Sequence, residues 1–273
     1  MKTIAIVGVG LIGGSFALAV RKAGFQGKII GVSSAATVEK ALALGVIDEA
    51  LPLAEAAAAA DLIYLSQPIR QILETLDGID EHVRPGTLIT DAGSTKAAIC
   101  ERAAAKVWRG RFIGGHPMAG KESRGVEHAD ADLFRGRPYV LTGHDPELER
   151  WIERIGARLI VLEPSNHDVT AAIVSHVPQL ISTALAAELG ATGGATQIAG
   201  PAAVDLTRLA LSPYEILEDI FATNSGPIQV ALKVYIGVLE ELGRQLNEPG
   251  MRHEFIRAAK AAKELRRRPS ETD

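Results

Sequence analysis

Apolar positions change their rhythm near Pro164. Before it, short apolar runs of strand length recur between stretches of helical spacing. Lys2–Val7 reads as a buried strand carrying Ile4, Ile6 and Val7, and Ser15–Lys22 continues as a helix. Lys28–Ser33 is a second strand, followed by a helix over Ala36–Leu44 that Gly45 stops, glycine being a common helix terminator. After the alanine-rich Leu53–Ala60, Asp61–Ser66 reads as a strand and Gln71–Gly78 as a helix. Gly86–Asp91 is a further strand before a helix over Thr95–Ala105, and short strands at Phe112–Gly115, Pro138–Leu141 and Arg158–Leu162 close the series. Strands alternating with helices predict a parallel sheet wound on both faces.

From Asp168 onward alanine, leucine and isoleucine recur at helical spacing without a convincing strand. The pattern predicts helices over about 168–190, 200–211, 213–223, 225–247 and 250–266, with Pro213, Pro227 and Pro249 at first-turn positions, where a missing N–H costs little. No repeat of solenoid type is present, and the closing ELRRRPSETD reads as a solvated, frayed tail. Two segments, Ala171–Leu189 and Ile228–Leu246, are apolar around more of their circumference than one small bundle can hide, which predicts a homodimer formed through this half.

Between the first strand and helix stands GVGLIGG, in which Gly8, Gly10 and Gly13 complete G-x-G-x-x-G. Gly8 permits the tight turn, Gly10 lets backbone approach a pyrophosphate, and Gly13 lets helix and strand pack closely. The anion would rest on the unpaired N–H groups of the helix N-terminus. Leu11, Ile12, Ser66 and Pro68 complete the expected lining of a dinucleotide site. Where a carboxylate for the ribose 2′-hydroxyl of NAD would stand, the chain has Ser33 and Ser34, with Thr37 beyond. Nothing there repels a 2′-phosphate, so NADP is the expected cofactor and NAD a possible one, although no arginine clamp is present. Serine and threonine at this place also suit a helix N-cap. The expected architecture is α/β: a Rossmann-type dinucleotide-binding domain over 1–164, then an all-helical substrate and dimerisation domain over 165–273.

Composition narrows the functional classes. The 273 residues are 47% hydrophobic and 23% charged with net charge −4, which argues against a general nucleic-acid binder. The single cysteine, Cys100, leaves no intramolecular disulfide and no cysteine-rich zinc site, and no metal is expected. The N-terminus has no signal-peptide character. No apolar run was expected to approach the roughly 20 residues that cross a bilayer. The expectation is therefore a soluble, cytoplasmic protein with no membrane partner.

Two further stretches carry chemistry. TDAGSTK sets Asp91, Gly93, Ser94 and Lys96 at the C-terminal edge of a strand, where open parallel sheets bind ligands. GGHPMAGKE sets His116 in a loop among glycines and a proline, and histidine is the side chain best suited to exchange a proton near neutral pH. Together with GxGLIGGS and the later SHVPQL and DLTRLA, in this order and over nearly the whole chain, these motifs resemble the prephenate/arogenate dehydrogenases of tyrosine biosynthesis, in their short single-module form.

The resemblance implies oxidative decarboxylation of prephenate or arogenate with hydride transfer to NAD(P). It implies that His116 takes the substrate's hydroxyl proton, that Ser94 hydrogen-bonds His116, and that Arg208 holds a substrate carboxylate within an acidic network of Glu122 and Asp205. Ser175 and His176 of the SHVP stretch would line the substrate pocket. Gln179 stands where many prephenate-using relatives have a histidine linked to substrate contact, and Lys121 where they often have threonine, so the preferred substrate side chain stays open. Two other readings compete: a different two-domain NAD(P)-dependent dehydrogenase or reductase, for which Lys233 could be the functional lysine although VALKVYIG reads better as an amphipathic helix, and a non-catalytic NADP-binding redox sensor. The latter would need the glycine turn but not His116, Ser94 and Arg208 together.

Overall fold

The computed structural model describes residues 1–266. Its first half alternates β1 (Thr3–Val7), α1 (Leu11–Lys22), β2 (Lys28–Val32), α2 (Ala35–Ala43), β3 (Glu49–Ala50), α3 (Leu53–Ala59), β4 (Leu62–Leu65), α4 (Ile69–Gly78), β5 (Leu88–Asp91), α5 (Ala97–Lys106) and β6 (Arg111–Ile113). The six strands form one parallel sheet in the order β3-β2-β1-β4-β5-β6. The order reverses between β1 and β4, and at such a switch point open α/β sheets bind ligands beyond the strands' carboxyl ends. Strands covered on both faces need apolar residues at nearly every position; accordingly Ile4–Val7 and Leu62–Leu65 are all buried.

A second sheet follows, built from β7 (Gly115–Pro117), β8 (Pro138–Leu141) and β9 (Arg158–Val161), with β7 antiparallel to β8 and β8 parallel to β9. The single strand expected over Phe112–Gly115 is thus two short strands in different sheets. His116 lies inside β7, opposite Val140, rather than in a loop. The close approach at Gly115 explains the corner: a Cβ there would lie 2.5 Å from the Asp91 carbonyl oxygen. The two sheets also meet through Tyr139, whose hydroxyl donates to that of Tyr64 at 3.1 Å, while Tyr64 stacks on Phe16 with ring centroids 4.0 Å apart. Some elements lacked a sequence reading, β3 and the helix α6 (Pro146–Arg154) among them. The two-residue β3 is too short for periodicity to register. The helix α6 starts with clear chemistry, an Asp145 N-cap and a first-turn proline.

The helical half begins with α7 (Pro164–Ala171), a π-turn over Ala172–His176 and α8 (Val177–Ala191). Within this continuous run of 28 residues an 18-residue window reaches mean hydropathy 1.4, so by length and composition the run is long and apolar enough to cross a membrane, which corrects the expectation that no such run exists. Buried His167, Asp168, His176 and Gln179 sit on it and bond to other elements of the protein, which marks it as a domain helix. Then come α9 (Ala195–Ile198), α10 (Pro201–Thr207), a 3₁₀ turn over Arg208–Leu211, α11 (Tyr214–Arg244) and α12 (Gly250–Arg266). The two helices expected over 213–223 and 225–247 are the two arms of α11, which break at the non-helical Asn224 (φ −131°, ψ 22°), with Pro227 just beyond. Of the expected tail, Glu264–Arg266 belong to α12 and the rest lies outside the described residues.

Candidate active site

The glycine turn has the geometry that a dinucleotide requires. Gly8 has φ +94°, and a Cβ there would meet Ser66 and Gln67 backbone at 2.8 Å. A Cβ at Gly13 would meet the Gly8 carbonyl oxygen at 2.3 Å, whereas nothing lies within 4 Å of one at Gly10. Only the middle position therefore opens toward a ligand. Gly10 caps α1 without a side-chain hydrogen bond, so the first-turn amides have no side-chain partner from the cap. Beyond the turn lies a cavity of about 500 Å³ lined in part by Gly10, Leu11, Ile12, Ser66, Pro68 and Ser94. Ser66 contributes chiefly as a latch, since its hydroxyl donates to the Gly8 carbonyl at 2.8 Å. At the end of β2, Ser33 is exposed. Ser34 caps α2, its Oγ 3.4 Å from the Thr37 N–H and 2.9 Å from the Thr37 hydroxyl. The helix-cap reading therefore holds for this pair.

Asp91, at the end of β5, and Lys96, just before α5, are wholly buried and paired to each other. The Asp91 carboxylate also accepts N–H bonds from Gly93 at 2.8 Å and Gly115 at 3.0 Å. Its role is structural: it ties the strand end to the residue preceding His116.

His116 is 9% exposed, and its Nδ1 lies 2.8 Å from Nε2 of His167. His167 Nδ1 lies 2.7 Å from Asp168 Oδ1. Asp168 in turn accepts the backbone N–H of Lys96 on Oδ1 at 2.7 Å and that of Ala97 on Oδ2 at 2.9 Å, at the N-terminus of α5. Burial, reinforced by His167, Lys96 and His176, pushes His116 well below the usual histidine range, so the ring is neutral and can accept a proton. The expected hydrogen bond from Ser94 to His116 is not made among the described residues: Ser94 lines the cofactor-side cavity, and His167 occupies the Nδ1 position. His176 accepts a 3.2 Å contact at Nδ1 from Asn224 Nδ2, and burial lowers its pKa to about 4.

Arg208 opens the 3₁₀ turn and is exposed, with Nη1 3.2 Å from Glu122 Oε1. It lines a cavity of about 800 Å³ with Glu122, Lys121 and Ser123. Gly120, Lys121, Ser123 and Ile216 border both cavities, so the arginine pocket adjoins the cofactor side. Lys121 itself is held by Asp130 at 2.9 Å.

Further sequence expectations change here. Asp205 is exposed on α10 and forms no ion pair with Arg208 among the described residues. Ser175 is exposed on the π-turn, His176 is buried beside it, and neither lines either cavity. Gln179 is buried, and its amide donates to the Leu209 carbonyl at 2.7 Å, while Ser182 accepts the Ala210 N–H at 3.0 Å. Gln179 thus braces the turn that carries Arg208 from behind, because its donor is spent on backbone.

Sequence reasoning missed His167, Asp168 and Asn224. The available signal was an adjacent His-Asp pair in an otherwise alanine-rich helical stretch, where buried polar groups must find partners.

Comparison with known proteins places this geometry in context. The family model described as "Prephenate dehydrogenase, nucleotide-binding domain" matches residues 16–163, and "Prephenate dehydrogenase, dimerization domain" matches 163–261. A prephenate dehydrogenase of Lactococcus lactis subsp. cremoris is 41% identical over 189 residues, 68% of this chain; the match spans 53% of that protein, about half its length. The crystal structure of the Aquifex aeolicus prephenate dehydrogenase in complex with hydroxyphenyl propionate and NAD+ superposes with TM-score 0.90 at 29% identity, covering 97% of this chain and 98% of that one. The Synechocystis arogenate dehydrogenase gives TM-score 0.83 at 32% identity, covering 97% and 99%.

Proposed function

The chain belongs to the prephenate dehydrogenase family of nicotinamide-dependent oxidoreductases, and we propose that it converts prephenate or arogenate by oxidative decarboxylation, the step that yields the aromatic ring in tyrosine biosynthesis. The observation that carries this reading is a buried, neutral His116 close in sequence to the Gly120–Ser123 wall shared by the cofactor and Arg208 cavities. A dinucleotide held by its pyrophosphate over Gly8–Gly13 would supply the hydride acceptor, its nicotinamide.

The chain's own residues do the rest. His116 accepts the proton of the ring hydroxyl through Nε2, so the carbon that bore it becomes a carbonyl as hydride departs. Loss of the ring carboxylate as carbon dioxide then restores aromaticity, and that gain drives the reaction without a covalent nucleophile. Arg208, exposed and paired only to an exposed glutamate, can exchange that partner for a substrate carboxylate. Gln179 and Ser182 hold its turn in place. Ser94, half-buried, lines the cofactor-side cavity and can hydrogen-bond a molecule bound there.

The residues at the end of β2 leave both nicotinamide dinucleotides open. The absence of a carboxylate at Ser33 admits a 2′-phosphate, while the exposed Ser33 hydroxyl can equally meet the ribose of NAD, the form bound to the A. aeolicus relative. A cytoplasmic setting, where reduced and oxidised nicotinamides are exchanged, suits the reaction.

A homodimer completes the proposal. Of the large apolar side chains exposed among the described residues, all but Leu42, Leu44 and Trp108 lie in the helical half. Among the described residues that half buries only Ala171, Ala172, Val177, Ile220 and Ile228 of its apolar residues. A groove of about 490 Å³ lined by Val169, Ile173, Val230 and Val234 awaits a partner of the same chain, and light scattering should give twice the monomer mass.

The reaction is tested by incubating the purified protein with prephenate and, separately, with arogenate, and counting carbon dioxide against reduced nicotinamide. Equal amounts of the two support the proposal. Nicotinamide reduction without carbon dioxide, or none with either substrate, rejects it.

A further inference from the structure

We infer that His167 and Asp168 are positioning residues for His116, selecting which of its ring nitrogens carries the proton and stabilising the charge it acquires. This rests on His116 being the base.

The inference starts from two backbone amides. The N–H groups of Lys96 and Ala97 can only donate, and they donate to Oδ1 and Oδ2 of Asp168. The carboxylate is thereby held as an acceptor on both oxygens, at a helix N-terminus whose unpaired amides favour negative charge. His167 Nδ1, 2.7 Å from Oδ1, must then supply the proton of that contact. A neutral imidazole with its proton on Nδ1 presents a lone pair at Nε2. His116 Nδ1, 2.8 Å from that lone pair, must in turn carry a hydrogen. The lone pair of His116 is left at Nε2, the nitrogen turned away from His167 and available to a substrate hydroxyl.

No member of the chain is free to reverse. His167 and Asp168 are each 2% exposed, so bulk water does not compete for their bonds. Asp168 is fixed from a third side, where its carbonyl accepts Asn224 Nδ2 at 2.9 Å from the kink of α11. The other groups facing His116 are His176, neutral through burial, and Lys96, whose ammonium is paired with Asp91. When His116 Nε2 takes the proton, the Nδ1–H is retained and the new positive charge strengthens the contact to His167. The polarised His167 leans on the Asp168 carboxylate. One proton moves, from substrate oxygen to Nε2, and no other bond changes. Because α7 carries both positioning residues and β7 carries the base, the base is correctly protonated only when the two halves of the chain are docked.

Two measurements test this. In the free protein, nitrogen NMR of the histidine rings should find His116 as the Nδ1–H tautomer; an Nε2–H tautomer would overturn the inference. In the variants His167→Phe and Asp168→Asn, kcat should fall by about 10²-fold, within the range a general base contributes, while KM is unchanged. In Asp168→Asn the acid limb of the kcat profile should also move to lower pH, because the His116 imidazolium loses the carboxylate behind His167. A merely structural role would leave that limb in place, and a limb in place in folded Asp168→Asn rejects the inference. The base reading is judged separately by His116→Ala. If that variant is inactive while Asp168→Asn keeps wild-type kcat and pH profile, only the positioning role falls; if His116→Ala stays active, the base assignment falls first.

Discussion

Replacing Asp91 by asparagine should destabilise this protein more than any change at its exposed ion pairs. Asp91 and Lys96 both have 0% side-chain exposure and face each other, so each has exchanged its hydration for the other's charge. Asparagine keeps the shape and can still accept one of the N–H bonds from Gly93 or Gly115, but it leaves the Lys96 ammonium buried without a counter-charge. Breaking one side of such a pair costs about 3–5 kcal/mol. For a chain somewhat longer than 150–250 residues, each kcal/mol lowers Tm by roughly 2–4 °C, so the expected fall is about 6–20 °C. Thermal unfolding at neutral pH reads this directly. The double variant Asp91→Asn with Lys96→Met removes the orphaned charge and should recover much of the loss, a coupling that a double-mutant cycle measures. An Asp91→Asn protein with Tm unchanged, or a double variant no better than the sum of its parts, would refute the buried-pair account.

Arg208→Ala should raise the substrate KM on the order of 10–100-fold, the equivalent of about 1.5–3 kcal/mol for a charge-assisted hydrogen bond, while Tm stays put because the Arg208–Glu122 pair is exposed; a changed Tm with an unchanged KM would reassign Arg208 to structure. Ser33→Asp should shift the ratio of kcat/KM values from NADP toward NAD by repelling a 2′-phosphate; an unchanged ratio would remove Ser33 from cofactor choice. The acid limb of kcat/KM should lie below pH 6.5, because burial lowers the His116 pKa and protonation is what disables a base; a limb above 6.5 contradicts this. Stability should fall as pH drops from about 6.5 toward 4, since the unfolded chain binds protons at His116 and His176 that the folded chain excludes; His176→Asn should weaken that dependence.

Much of the fold was legible because it is written in local patterns. The apolar runs of β1, β2, β4 and β5 are buried on both faces, and a continuous apolar run is what such burial requires. The glycine turn was legible residue by residue, since each glycine meets a separate steric demand. The split of Phe112–Gly115 was not, because a two-sheet corner depends on the distance from Gly115 to the Asp91 carbonyl, a contact across 24 residues. The break at Asn224 was legible as the gap between the helices expected over 213–223 and 225–247, but what holds it was not, because its amide bonds to Asp168 and His176, far away in sequence. At the site, His116 and Arg208 stood in recognisable motifs. The partners that orient them did not, because His167 and Gln179 act through contacts that only folding creates. Gln179 is the instructive case. Its position suggested substrate contact, yet its donor is committed to a backbone carbonyl, so its influence on Arg208 is indirect.

The most direct test of the account is single-turnover hydride transfer by His116→Ala with prephenate or arogenate, alongside its cofactor affinity. Removing the base should slow the chemical step by about 10²–10⁴-fold, and cofactor binding should be unchanged, since His116 stands apart from the glycine turn and does not line its cavity. A variant that transfers hydride at close to the wild-type rate would contradict the assignment of His116 as the base.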